Sequence, residues 1–555
     1  MSRSGITGGL WCVSVLASLA GCAGEDLSQA ADDAESRELA TRATLALRTA
    51  SAGAAGDTSC EPDHELPQKK DIASVMRRVN EYWIENHVTP GDRGWARATY
   101  FEGNMAMYGA YPEPSYLNYT LKWAEGHAYT LYQGVTTRNA DNQNIGQTYV
   151  DLYRLDPVPA RIEMIEANVA AMLATDKIDD WWWVDALHMA MPVFARLAVE
   201  RADPAYSERM YAMYDFTKRH HGNGGLYNTT EHLWWRDASF QPPALAKNGQ
   251  NLYWSRGNGW ALAAHARTIE ELDRLDVMDP HREEYVQTFQ DMAAALAELQ
   301  QPDGFWYANL LDPQDPAGPE TSGTAFFTYG MAWGIRHHLL CPTKYMPIVV
   351  RAWRALERIA VGADGKLGYI QPVGVGPTAA PTKDDHYDFG VGAFLLAGSE
   401  VYQLAHGREP ALPSARNLAL SGTAAASTEQ SGNEAPHAID NDLTTRWSAQ
   451  GYPQSLEIDL GEAKLIRGIE LLPYMQRPYQ FVVETKSTAE GAWELAVDDS
   501  ANAERGPFMT RTFPPRKAQL VRLTVSGLDS SVAYSDWISI VELRVIEGRR
   551  HEHLE

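Results

Sequence analysis

Two periodicities divide the chain. Between about Lys70 and about Gly407, apolar residues recur three and four positions apart. Examples are SVMRRVNEYWIENH (74–87), ARIEMIEANVAAMLA (160–174), EEYVQTFQDMAAALAELQ (283–300) and MPIVVRAWRALERIA (346–360). That spacing gathers the apolar side chains on one face of an α-helix. Gly, Pro, Asn and Asp fill the stretches between and mark loops. Three loops share a layout: Asn223-Gly224-Gly225-Leu226-Tyr227, Pro302-Asp303-Gly304-Phe305-Trp306-Tyr307 and Ala363-Asp364-Gly365-Lys366-Leu367-Gly368-Tyr369. A recurring helix, glycine turn, aromatic, helix unit predicts helical hairpins arranged around an axis. From Ala415 the period falls to two, in SLEIDLG, LIRGIELLPY, YQFVVETKS, AQLVRLTVSG and ISIVELRVI. Alternation of that kind predicts an all-β sandwich over 415–547, followed by a short tail, 548–555. Between the two regions, residues 408–414 read as a Pro-bearing, solvent-exposed linker. A chain of 555 residues is too long for one core, which agrees with two domains.

The N-terminus departs from both patterns. Arg3 precedes the apolar stretch GLWCVSVLASLA, and Leu19-Ala20-Gly21-Cys22 follows. Small residues ahead of the cut mark a secretory signal over 1–22. The cysteine after them resembles a bacterial lipobox, which implies lipidation of Cys22 and an exported, membrane-anchored lipoprotein. Residues 23–67 are rich in Ala, Ser, Asp and Glu with little period, as expected of a flexible tether. No later stretch is long and apolar enough to span a bilayer, so the membrane is reached through the lipid alone. Cys60 and Cys341 are the two cysteines left, and an exported protein allows them to pair.

The formal net charge of -24 argues against nucleic acid as a partner. It also means that an anionic ligand needs a local basic site. The 17 tryptophans and 26 tyrosines suit both a packed helical barrel and a carbohydrate cleft. In WWVDALHM, Asp185 opens an aromatic helix. A carboxyl group on an apolar face is costly to ionise, so it keeps its proton, which is what a general acid requires. The neighbouring tryptophans, Trp183 among them, offer flat faces of the kind that stack on sugars. In YWSRGNGW, Arg256 and Trp260 are four apart and share a helix face: a guanidinium to hold a carboxylate, an indole to hold the ring that bears it. EHLWWRD supplies His232 and a further candidate platform, Trp234. RNADNQNIGQTY places a second carboxylate, Asp141, ahead of a helix. No HExxH or CxxC supports zinc.

Taken together, ADNQNIGQTYVDLY, WWVDALHMAMP, GGLY…EHLWWRDASF, WSRGNGWALAA, PETSGTAFFTYGMAWGI and GVGAFLLAGSEVYQL resemble the unsaturated glycuronyl hydrolases of glycoside hydrolase families 88 and 105. The likeness runs from about Lys70 to Gly407. It implies an all-α (α/α)6 barrel over 68–407, needing no cofactor for catalysis. It also implies release of a 4,5-unsaturated uronic acid from the non-reducing end of lyase-made oligosaccharides. In that chemistry an aspartic acid protonates C4 and water adds at C5. The resemblance puts Asp185 at the general acid/base, Arg256 and Trp260 at the substrate pair, and His232 at the site histidine. Asp141 takes the second aspartate, where related members often show two acids and this chain has Asp141-Asn142. Rhamnose, as in rhamnogalacturonan of pectin or in ulvan, is the family-level expectation for the following sugar.

The β region resembles discoidin, or factor-V/VIII type C, modules, including carbohydrate-binding module family 32. The carrying residues are Asn417-Leu418-Ala419, Ala438-Ile439-Asp440-Asn441-Asp442-Leu443-Thr444-Thr445-Arg446-Trp447-Ser448, Leu456-Glu457-Ile458-Asp459-Leu460-Gly461 and Ile540-Val541-Glu542-Leu543. The resemblance implies polysaccharide binding and a structural calcium ion held by Asp440, Asp442, Thr445 and Glu542, whose hard oxygen ligands suit it. Two other classes stay open on the residues: another (α/α)6 enzyme acting on acidic polysaccharide, as a lyase or inverting glycosidase, or a non-catalytic glycan-capture lipoprotein. An exposed linker further predicts that the barrel, cut near Gly407, folds and acts on small substrates alone.

Overall fold

The computed structural model describes residues 65–548 apart from 507, 532 and 534. The signal, Cys22, Cys60 and nearly all of the tether lie outside the described residues. No described helix is long and apolar enough to cross a membrane.

The helical region is a double ring. Its helices are α1 (Lys69–Asn86), α2 (Trp95–Ala110), α3 (Pro114–Gly126), α4 (Ile145–Leu155), α5 (Glu163–Leu173), α6 (Asp185–Arg201), α7 (Pro204–Arg219), α8 (Ser255–Leu272), α9 (Arg282–Ala297), α10 (Thr321–Arg336), α11 (Pro342–Ala355) and α12 (Asp388–Leu404). Odd-numbered helices form the outer ring and bury one stripe. Even-numbered helices form the inner ring, and α6, α8, α10 and α12 are buried on nearly every face. The inner ring closes where α12 meets α2. There a Cβ on Gly103 would fall 2.2 Å from the Gly392 carbonyl, so only glycine permits the approach.

The three glycine loops turn as expected, with Gly225, Gly304 and Gly365 at φ values of 101°, 93° and 91°. Each glycine lies against an outer-helix carbonyl, those of Lys218, Arg351 and Arg78 respectively. These loops join outer to inner helices, so they all lie at one end of the barrel. The inner-helix N-termini share that end: Asn144 donates to the Trp95 carbonyl, Arg256 reaches Ser322, and Arg97 pairs with Asp388. Six parallel helix dipoles therefore point their positive ends at one mouth, a field that favours an anion.

The β region is antiparallel throughout. Its strands are β3 (Thr423–Ala426), β4 (Trp447–Gln450), β5 (Gln454–Pro473), β6 (Tyr479–Lys486), β7 (Glu494–Asp499), β8 (Met509–Leu528) and β9 (Trp537–Glu547); β1 (Tyr227–Asn228) and β2 (Leu233–Trp234) form a small hairpin in the barrel. β5 and β8 change partners part-way. Gln454–Asp459 pair with the end of β8 and 456–459 with β3, whereas 466–473 pair with β9 and 468–471 with the start of β8. Register shifts within β5 let it serve two layers. Between them lie Trp447, Leu456, Ile469, Phe481, Val525 and Leu543, all fully buried.

The linker is not a free joint. Residues 406–409 are exposed, but Pro413 is buried, the Ser414 hydroxyl donates to Glu113, and Tyr111 donates to the Ala411 carbonyl. The sandwich sits on the barrel flank. Leu443, Leu472 and Val541 join the barrel's apolar core. Glu470 accepts from Arg77 of α1 at 3.2 Å and from Arg544 at 2.7 Å. Asn441 donates to Glu113 at 3.0 Å.

Candidate active site

Asp185 is the first residue of α6, at the mouth. An extended segment leads into it: Trp183 pairs with Asp237, and the Val184 amide donates to the Arg236 carbonyl. That ladder brings the Arg236 guanidinium over the acid. Its Nε lies 3.3 Å from Asp185 Oδ2, yet neither atom has a hydrogen-bond partner. Both atoms are buried, so the ion pair is shielded from bulk water. Burial pushes the Asp185 carboxyl above the ordinary carboxylate range, against the pull of Arg236 and then Arg256.

Asp141 stands on a short helical turn, Ala140–Gln143, capped by Asn139, which accepts from the Asp141 amide at 2.9 Å. Burial and the charge of Asp185 push it up to about 6, with Arg236 opposing. Asp141 therefore feels both the Asp185 carboxyl and the Arg236 guanidinium. Removing the cation should raise the proton affinity of Asp185. In an Arg236→Gln variant the alkaline limb of the kcat–pH profile is therefore expected to move to higher pH; a limb that stays put or moves down would show that Arg236 does not tune the acid.

Arg256 lies at the start of α8 as its spacing predicts, but its guanidinium is nearly all buried. It donates to the carbonyls of Gln371 at 2.6 Å and Pro372 at 2.8 Å, and sits between the rings of Trp254 and Phe389. Burial pulls it down to about 10, so it stays cationic and its charge reaches Asp185. Here it acts as a charged strut for the 371–372 loop rather than as an open fork. Trp260 is also buried, against His188, Phe326 and Trp95, and forms the floor under the mouth. Trp183 faces inward too.

Two expected site residues are placed elsewhere. Trp234 is wholly buried among Tyr214, Tyr227 and His265, and its indole N–H is spent on Met292 Sδ. His232 turns outward from the β1–β2 hairpin, beside Tyr227 and Asp291, in a separate cleft of about 460 Å³ between α7 and α9. Neither side chain reaches the mouth: His232 sits in a turn with φ of 55° ahead of the two-residue strand β2, whereas Arg236 lies beyond that strand and reaches the acid. Arg236 was legible only as one basic residue in an aromatic motif. His188 was a second omission: buried one turn below Asp185, it shares a 2.9 Å contact with Glu102.

Residues 69–405 match the Glycosyl Hydrolase Family 88 profile, more than half of the chain. The chain belongs to that family. An unsaturated 3S-rhamnoglycuronyl hydrolase of Formosa agariphila is 32% identical over 358 residues, which is 60% of this chain and 91% of the relative. A protein of the same name from Alteromonas sp. (strain LOR) is 26% identical, over 69% of this chain and 94% of the relative. The solved structure of a family 88 glycosyl hydrolase from Bacteroides vulgatus superposes with a TM-score of 0.56 at 36% identity, covering 61% of this chain and 99% of that one. Another, described as a polysaccharide lyase, gives 0.56 at 34%, covering 60% and 98%. Residues 423–543 match the F5/8 type C domain.

In this family 88 protein the residues expected to hold calcium lie in one turn of the second module, apart from Glu542, which packs beside it. Asp440 accepts from the Thr445 hydroxyl at 2.8 and 3.1 Å, and the carbonyls of Asp442 and His437 lie 2.9 and 3.4 Å from the same oxygen. One hydroxyl proton cannot satisfy that many acceptors, so the oxygens form a cradle that fits a hard cation. Glu542, buried beside it, is pushed up to about 8, chiefly by burial. Asp442 differs from expectation: its carboxylate turns to Thr444 and Lys122, leaving its carbonyl to face the cradle. Among the described residues no group of three or more His, Cys, Asp or Glu side chains is placed to hold a metal ion.

Proposed function

We propose that this protein removes 4,5-unsaturated uronic acid from the non-reducing end of lyase-made oligosaccharides. The carrying observation is Asp185, a buried carboxyl whose proton affinity burial raises, at a mouth where six helix N-termini, Arg236 and Arg256 supply positive charge. The uronate carboxylate is drawn to that field. Asp185 gives its proton to C4 as the double bond breaks. A water oxygen bonds to C5 and its proton passes to Asp141. The ring oxygen then leaves C5, which becomes a ketone, and C1, now a hemiacetal, expels the following sugar as an alcohol. The curated relatives' name points to a rhamnose-containing substrate, as in ulvan or rhamnogalacturonan digests.

The polysaccharide lyase among the solved relatives keeps a second reading in play. One experiment separates them by sign. Incubation with digests of several acidic polysaccharides is expected to lower the ultraviolet absorbance of the double bond. A rise in absorbance on intact polysaccharide, with digests untouched, would make it a lyase instead.

Two further readings complete the proposal. The sandwich binds polysaccharide and carries a calcium ion held by Asp440, Thr445, Glu542 and the neighbouring carbonyls. Calcium is expected to raise the melting temperature and a chelator to lower it, an effect that Asp440→Ala abolishes; melting indifferent to both would remove the ion from the account. Cys22 carries the lipid that anchors the exported protein. A Cys22→Ser variant that stays with the membrane fraction would contradict this.

A further inference from the structure

The extended segment before Asp185 alternates sides. Trp181 and Trp183 turn inward and are buried, so Trp182 between them turns outward. It is 47% exposed, and among the described residues no other tryptophan is as open. A large apolar ring left in water costs free energy, so its exposure calls for an explanation. Nor is Trp182 on a loose loop. The Trp181 carbonyl accepts from Thr217 at 2.6 Å, Trp183 pairs with Asp237, and Val184 donates to Arg236. The ring itself rests against Trp183, centroids 4.6 Å apart, with the Arg236 guanidinium 5.6 Å from its centre. Arg236 is the same group that lies over Asp185, so the exposed indole borders the reacting pocket.

We infer that Trp182 is the platform for the sugar on the leaving side of the cleaved bond. This rests on the hydrolase reading above. In that reading the unsaturated uronate is the chain end, and it enters first, to the buried acid. The rest of the substrate must then extend toward solvent, over Trp182. A pyranose offers an apolar C–H face, and an indole held rigid at both sides binds it with little loss of side-chain freedom. Arg236 beneath the ring places a cation at the same border, so this subsite takes a sugar with an apolar face and tolerates an anionic substituent toward Arg236.

The test compares two substrates of the full-length protein: an unsaturated disaccharide and the methyl glycoside of the same unsaturated uronate. The methyl glycoside has the reacting bond but no sugar to stack. Trp182→Ala is expected to lower the ratio of kcat/KM between disaccharide and methyl glycoside about tenfold, mostly through KM, the size expected from uncovering one aromatic face. Trp182→Phe is expected to recover most of the ratio. An unchanged ratio, whether from equal losses or from none, would overturn the platform. Wild-type protein inert on both compounds would overturn the hydrolase reading and the platform with it. Melting of each variant identifies a loss caused by misfolding, and the phenylalanine variant then decides.

Discussion

Asp185→Asn is expected to lower kcat on an unsaturated disaccharide by about 10²- to 10⁴-fold, the range that a positioned proton donor contributes. The amide is nearly the same size and keeps the helix start, but it carries no acidic proton for C4. The surroundings sharpen the expectation. Asp185 sits under Arg236, and burial raises its affinity for the proton. An asparagine carbonyl can accept from Arg236, so folding should suffer little. Turnover by loss of absorbance, measured beside thermal melting, checks this. A folded variant within tenfold of wild type would move the acid role elsewhere, with Asp141 the first candidate.

Much of this architecture was legible because it rests on local period. Helices of period 3.6 and strands of period two follow from which faces are buried, and the start of α8 at Ser255 follows from YWSRGNGW. What the pattern cannot show is depth. Trp260 and Arg256 share a face as their spacing requires, but inner helices are buried on nearly every side, so sharing a face did not mean facing the cleft. The tryptophans of WWWVD and HLWWRD show the same limit. Alternation sends Trp182 out and Trp183 in, but His232 and Arg236 share the same parity, and it is the turn at His232, with φ of 55°, that points this side chain away while Arg236 reaches the acid. Composition alone fixes neither the register nor the turn. The docking of the linker is hidden from the sequence for another reason. Its exposure depends on surfaces far away in the chain, such as Glu113 receiving Ser414.

That docking carries the second large effect. Glu470→Ala is expected to destabilise the protein by about 3–5 kcal/mol, the usual result of removing one partner from a buried ion pair. Glu470 stands between Arg77 of the barrel and Arg544 of the sandwich; Arg544 is fully buried, and only Glu81 would remain close to Arg77. Cutting the chain near Gly407 differs in kind. It lets the barrel charges rehydrate, yet it uncovers the apolar surface now closed by Leu443, Leu472 and Val541 and unpins Glu113. A barrel so cut is expected to melt lower and aggregate, not to behave as the independent unit that an exposed linker implied. The pH dependence has a definite sign. The two guanidiniums hold the Glu470 carboxyl down at about 2, below its ordinary value of 4.5. Its contribution is therefore complete above pH 4.5 and is lost as pH falls toward 2. The stability gap between wild type and Glu470→Ala, read by urea denaturation, should be widest near neutrality and shrink below pH 4.5. Because the joint lies on the α1 and α3 flank and Asp185 on α6, the variant should still turn over disaccharide at low temperature. A gap below 1 kcal/mol at pH 7 would mean that the joint is held by its apolar contacts, with the charges merely accommodated.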